Sequence, residues 1–186
     1  MFVAIELPEE IRDKLSAHAR RLRELVPAAQ ASWSRPENIH LTLKFVGEIT
    51  KDRAARLSEA TARAAEHRGP LRIEIAGTGA FPTRGSPRVL WIGLNDLEGG
   101  LTRLHEQIER ESARVGFEQE ARSFKPHLTL ARLRKPDHAK ALAAAHLEMP
   151  FEADQFTATE VLVIRSELSS SGSKYTTISR HPLLKP

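Results

Sequence analysis

One tetrapeptide occurs twice in this chain, as His40-Leu41-Thr42-Leu43 and, 87 residues later, as His127-Leu128-Thr129-Leu130. With 8 His, 22 Leu and 11 Thr among 186 residues, chance supplies roughly 0.006 copies of that string, so the repetition is not an accident of composition. In an extended segment, residues i and i+2 share a face. His40 and Thr42 therefore point one way while Leu41, Leu43 and Phe45 point the other, and His127 and Thr129 oppose Leu128 and Leu130 in the same manner. A repeated Leu-x-Leu accounts for a repeated core-facing edge, but not for an imidazole and a hydroxyl repeated on the opposite face. The duplication calls for a fold that brings two like strands together around one space, lined by two proton carriers and two neutral donors.

The rest of the chain reads as alternating strands and helices without strict βαβ repetition. Strands are expected at Phe2 to Leu7, Ile39 to Val46, Leu71 to Ala76, Arg88 to Leu94 and His127 to Leu133, with three more near Phe151 to Ala158, Glu160 to Glu167 and Lys174 to His181. Helices are expected from Pro8 to Pro27 (apolar at Ile11, Leu15, Leu22, Leu25 and Val26), from Thr50 to His67, from Leu97 to Val115 (apolar at Leu97, Leu101, Leu104, Ile108 and Val115), and from Pro136 to Leu147. A Gly- and Pro-rich loop fills Gly77 to Pro87, and Ser169 to Gly172 is a polar turn too short to link domains. The order predicts an α+β protein with antiparallel sheet rather than a doubly wound one.

Composition narrows the chemistry. A length of 186 residues fits one globular domain, and 40% hydrophobic residues exclude a disordered chain. The absence of cysteine removes disulfides, thiolate nucleophiles and Cys-based metal sites. Catalysis must then use His, carboxylate, hydroxyl or amine. The net charge of +4 favours polyanions without demanding them. The start of the chain lacks the pattern of a secretory signal, and no run of 18 apolar residues occurs. A cytoplasmic monomer with no membrane association is the expectation.

Two histidines and two threonines around one space suit a phosphodiester anion. In-line displacement needs a base beside the attacking water and an acid beside the departing oxygen, on opposite sides of phosphorus. An ordinary pKa near 6.5 lets imidazole serve in either role, while threonine hydroxyls donate to the non-bridging oxygens. A zinc site fits these residues poorly, because neither motif carries a second His or a carboxylate at i+2 and Thr is not a usual zinc ligand. No metal and no cofactor are expected.

The motifs resemble the paired His-x-Thr-x signatures of the two-histidine phosphoesterase superfamily. More narrowly, the unbroken stretch Trp33 to Glu48 resembles the first signature of the RNA 2',3'-cyclic phosphodiesterases, also called the 2'-5' RNA ligase family. Phe124-Lys125-Pro126-His127-Leu128-Thr129-Leu130-Ala131-Arg132 resembles the second. Gly79-Ala80-Phe81-Pro82, Arg88-Val89-Leu90-Trp91, Ser166-Glu167-Leu168, Gly172 and Tyr175 are similar to that family as well. The resemblance implies two pseudo-symmetric lobes, each an antiparallel sheet backed by helices, with the site in the cleft between them and the whole of residues 1–186 as one bilobal domain. It implies opening of a terminal 2',3'-cyclic phosphate of RNA, or of a cyclic nucleotide, to a 2'-phosphate. It also implies His40 as proton donor to the leaving 3'-oxygen, His127 as the base, and Thr42 and Thr129 as phosphate holders. Because the two motifs are identical, the residues alone leave the acid and base roles open. Sealing of tRNA halves through a 2'-5' junction, and recognition of RNA ends without turnover, stand as alternatives.

Other residues fall around this core reading. Lys44 shares the His40 and Thr42 face by strict alternation and is expected to meet phosphate or solvent. Arg132 is a phosphate candidate because guanidinium pairs well with phosphate oxygens. Tyr175 and Phe124 could stack on a base, whereas alternation assigns Phe45 to the core. His18, His67, His105, His138, His146 and His181 are expected at the surface or in caps.

Overall fold

The two copies of the tetrapeptide lie on neighbouring antiparallel strands of one curled sheet. The computed structural model describes residues 1–135, 137–169 and 172–184. The expected helix start at Pro136 and residues Ser170 and Ser171 of the expected polar turn lie outside the described residues. In chain order the elements are β1 (Phe2–Glu6), α1 (Glu9–Leu25), β2 (Ala31–Trp33), a 3-10 turn (Pro36–Asn38), β3 (His40–Phe45), α2 (Lys51–Ala65), β4 (Leu71–Phe81) and β5 (Val89–Asn95). They continue with α3 (Gly100–Arg114), β6 (His127–Leu133), α4 (Ala139–Glu148), β7 (Asp154–Ala158), β8 (Glu160–Ser169) and β9 (Gly172–Pro182).

The sheet order is β7-β4-β5-β6-β3-β1-β8-β9, with β2 added to β6, and every pairing is antiparallel. It divides at the β3/β6 junction, where Leu41 pairs with Leu128, into two four-stranded halves related by the repeat. This is the two-lobed α+β architecture. The four motif leucines, Leu41, Leu43, Leu128 and Leu130, are at most 3% exposed and join one hydrophobic core that spans both halves. At about 1.5–3 kcal/mol for each buried leucine, they hold the motif strands with their polar faces turned away from the core. A smaller apolar cluster, Phe2, Ala4, Leu162 and Ile164, sits on the other face of β1 and β8, where alternation along β1 places it beneath the site.

Both motif strands carry a β-bulge at the same place in the repeat. Between Val3 and Ala4 of β1, β3 advances from Lys44 to Thr42, so Leu43 is the extra residue. Between Leu90 and Trp91 of β5, β6 advances from Ala131 to Thr129, so Leu130 is the extra residue. A bulge puts two consecutive side chains on one side and reverses the alternation beyond it. Hence Leu43 with Lys44, and Leu130 with Ala131, are all buried, while Phe45 and Arg132 emerge on the opposite side. This overturns two expectations. Lys44 leaves the histidine face for the interior, and Phe45 is 73% exposed rather than part of the core.

Other departures have local causes. β4 runs through Phe81 rather than stopping at Ala76, because a register shift between Ile75 and Thr78, with Gly77 at φ +79°, lets the strand continue past the irregularity. Gly79 is required there because a Cβ would lie 2.0 Å from the Trp91 ring. α3 begins at Gly100, not Leu97, since the Asp96 carboxylate accepts from the amides of Leu101 (3.1 Å) and Thr102 (2.7 Å) and caps the helix in place of a residue further along. Leu97 is therefore exposed, as is Leu25 in the last turn of α1. The three-residue β2 is too short to announce itself by alternation.

Candidate active site

His40, Thr42, His127 and Thr129 line one cleft of about 190 Å³. The two motif strands pair at the Leu41–Leu128 rung, and the His and Thr that flank this rung on each strand open into the same cleft.

The ring nitrogens are held alike. His40 Nδ1 lies 2.8 Å from the Asn38 carbonyl oxygen, and His127 Nδ1 lies 2.7 Å from the Lys125 carbonyl oxygen. A carbonyl can only accept, so each Nδ1 carries the proton and donates, which leaves Nε2 as the nitrogen that takes up or releases a proton. The sequence separation is two residues in both cases, so this tautomer control is part of the repeat. Ser34 Oγ donates to the Thr129 carbonyl oxygen (2.8 Å) and fixes the chain on the hydroxyl side.

The surroundings of the two rings differ. His40 stacks on Phe2 (centroids 4.5 Å apart, 19° between planes) and meets the edge of Tyr175 at 5.4 Å. Burial holds His40 below the usual imidazole range, and the hydrogen bond to Asn38 partly opposes it. His127 packs edge-on to Phe81 (5.2 Å, 85°) and Trp91 (6.3 Å, 60°). Tyr175 also borders the cleft, and burial raises its phenol pKa against the opposing charge of Arg132, so the hydroxyl stays protonated across the neutral range.

Arg132 and Tyr175 line this cleft, together with Phe2, Ser34, Asn38, Phe45 and Ser166. Lys44 does not. Its ammonium donates to Glu109 Oε2 and to the Glu118 carbonyl oxygen, both at 2.7 Å, behind the site. Phe124 stacks on His105 (4.0 Å, 10°), away from the cleft. Among the described residues no group of three or more His, Cys, Asp or Glu side chains could hold a metal ion. Among the described residues no helix is long and apolar enough to cross a membrane.

The sequence model of the LigT-like phosphoesterases matches this chain twice, over residues 5–91 and 92–175, each match containing one copy of the tetrapeptide. The chain belongs to the LigT-like phosphoesterase family. An Archaeoglobus fulgidus relative named RNA 2',3'-cyclic phosphodiesterase is 34% identical over 169 residues, covering 91% of this chain and 90% of its own length. One of the same name from Methanothermobacter thermautotrophicus is 32% identical over 178 residues, covering 94% of each. The crystal structure of E. coli LigT complexed with 3'-AMP superposes with a TM-score of 0.80 at 26% identity, covering 99% of this chain and 97% of that one.

In this LigT-like phosphoesterase, sequence reasoning passed over several residues. Asn38 acts through its backbone carbonyl, and any residue type supplies a carbonyl. Phe2 reaches His40 only through the β1–β3 pairing. The expectation of surface or cap positions fails for His18 and His146, which are 5% and 0% exposed. His146 Nε2 lies 3.0 Å from the Trp91 carbonyl oxygen and must donate to it, so His146 Nδ1 accepts from His18 Nε2 at 3.1 Å. Burial, then the neighbouring His146 and Arg21, push His18 down to about 4. This pair ties α1 and α4 to the backbone of β5.

Proposed function

We propose that this protein hydrolyses the 2',3'-cyclic phosphate at an RNA end to a 2'-phosphate, without a metal, acting as a cytoplasmic monomer in which residues 1–186 form one bilobal unit. The observation that carries the reading is the pair of histidines in one cleft, each with Nδ1 committed to the carbonyl two residues before it and Nε2 left for proton transfer. The names of the relatives give the same substrate class, and the contiguous core spanning both halves favours a single unit.

In the proposed step a water attacks phosphorus in line with the bond to the 3'-oxygen. His127 Nε2 takes the proton of the water as the new P–O bond forms, and His40 Nε2 delivers a proton to the 3'-oxygen as the P–O3' bond breaks. The phosphate remains on the 2'-oxygen. Thr42 and Thr129 donate to the non-bridging oxygens, where negative charge builds. His40 enters with its pKa lowered by burial; a phosphodiester anion beside the ring favours the imidazolium and raises it again. Substrate binding thereby charges the proton donor. Arg132 and the exposed Phe45 both line the cleft, which supports a guanidinium–phosphate pair from the first and base stacking on the second.

The test is incubation of purified protein with a short RNA bearing a cyclic phosphate, with and without EDTA, followed by mapping of the product phosphate. Turnover to a 2'-phosphate that persists in EDTA is expected. Tight binding with no turnover would return the site to end recognition, and loss of activity in EDTA with rescue by zinc would establish a metal mechanism instead.

A further inference from the structure

A second groove, of about 330 Å³, opens beside the cleft and shares Asn38 and Tyr175 with it. One wall is the turn before β3, with Arg35 and Glu37, and the other is the start of β9, with Ser173 and Lys174. Asn38 joins the two walls, since its side-chain amide donates to the Ser173 carbonyl oxygen at 2.9 Å. The same residue's own carbonyl receives His40 Nδ1. The groove's two walls are thus bridged by one hydrogen bond, and the residue that makes it also holds the histidine proposed as proton donor. Arg35 and Lys174 are exposed, and among the described residues Lys174 is engaged in no ion pair. One carboxylate, Glu37, stands in the same wall as Arg35 and opposes an anion.

A terminal cyclic phosphate occupies the 2',3' edge of its ribose, and the 5'-oxygen of that ribose carries the link to the preceding nucleotide. A chain entering the cleft must therefore lay a second anionic phosphodiester on a neighbouring surface. We infer that the groove between Arg35 and Lys174 takes that phosphodiester, so that the enzyme acts on oligonucleotide ends in preference to cyclic mononucleotides. The inference rests on the cyclic phosphodiesterase reading. Arg35 and Lys174 supply charge-assisted donors to the phosphate oxygens, and the carboxylate of Glu37 moderates them.

The test compares kcat/KM for 2',3'-cyclic AMP with that for the adenine dinucleotide ending in the same cyclic phosphate, in wild type, Lys174→Glu, Lys174→Ala and Glu37→Gln, between 50 and 200 mM salt. The wild type is expected to prefer the dinucleotide by about tenfold, with Lys174→Glu removing most of that ratio and Glu37→Gln raising it. Lys174→Ala is expected to lower the magnitude of the slope of log kcat/KM against log salt for the dinucleotide by about 0.7, the value for one phosphate contact on a single strand. Circular dichroism of each variant separates these effects from misfolding, and the opposite sign expected for Glu37→Gln is one that general damage would not produce. A wild type without preference, or variants that leave the ratio unchanged, would overturn the groove assignment. Absence of turnover on both substrates in the wild type would instead overturn the cyclic phosphodiesterase reading and the inference with it.

Discussion

Replacing Lys44 by Met distinguishes an anchoring lysine from a phosphate ligand. The Lys44 side chain is 3% exposed and that of its partner Glu109 is 10% exposed. Removing the ammonium leaves the Glu109 carboxylate with one remaining donor, the Glu120 amide at 3.1 Å, and leaves the Glu118 carbonyl oxygen without the donor it had. Breaking a buried ion pair from one side costs about 3–5 kcal/mol, because an uncompensated charge stays inside. In a chain of this length each kcal/mol moves Tm by about 2–4 °C, so Lys44→Met is expected to lower Tm by about 6–20 °C. Lys44→Met combined with Glu109→Leu removes both charges and should recover about half or more of that loss. Thermal unfolding by circular dichroism measures both, and kinetics well below the transition should find KM for a cyclic nucleotide within about twofold of wild type, since the lysine makes no contact in the cleft. A Lys44→Met protein with Tm unchanged but kcat/KM down tenfold or more would refute the reasoning and return Lys44 to the phosphate.

Four further outcomes are expected. His40→Ala and His127→Ala should each lower kcat by about 10² to 10⁴, and the double variant should lose far less than the product of the two, measured by steady-state kinetics on a cyclic-ended RNA. Because burial lowers the pKa of His40 in the empty cleft, the alkaline limb of kcat/KM should fall below pH 6.5, whereas bound phosphate should carry the alkaline limb of kcat higher; coincident limbs would argue against His40 as the acid. His18 and His146 are both shifted down by burial, His18 to about 4. The unfolded chain therefore binds protons that the native state resists as pH falls from about 6.5, and urea stability should decline towards pH 4 and level off below it. Replacing both by Leu should flatten that slope even if the plateau is lower. Phe45→Ala should leave Tm unchanged, since the ring is 73% exposed, and should weaken cyclic-nucleotide binding by about 1–3 kcal/mol, read as a rise in KM.

Much of the architecture is legible without coordinates. Local patterns announce themselves: period-two alternation for β3 and β6, helical spacing for α1 to α3, and proline or glycine at their ends. The repeated tetrapeptide also implies two related halves, because a polar i, i+2 pair opposite a leucine pair has to face a shared space if it serves one purpose. The neighbourhood of the histidines is less legible. Strict alternation sends Lys44 outward and Phe45 inward, and both assignments fail because of a bulge that depends on how β3 lies against β1, a strand nearly forty residues earlier in the chain.

What the amino-acid order determined alone is the identity of the four central residues, the side of each strand they occupy and the class of fold that can join them. Tertiary structure decided which further side chains reach the cleft: Phe45 and Arg132 through paired bulges, Phe2 and Tyr175 through strands brought alongside, and the Nε2 reactivity of both rings through backbone carbonyls. The division has one physical cause. Side-chain alternation is a property of a single extended segment, whereas register, bulges and carbonyl positions are set by pairing between segments distant in the chain, and no residue type encodes them by itself.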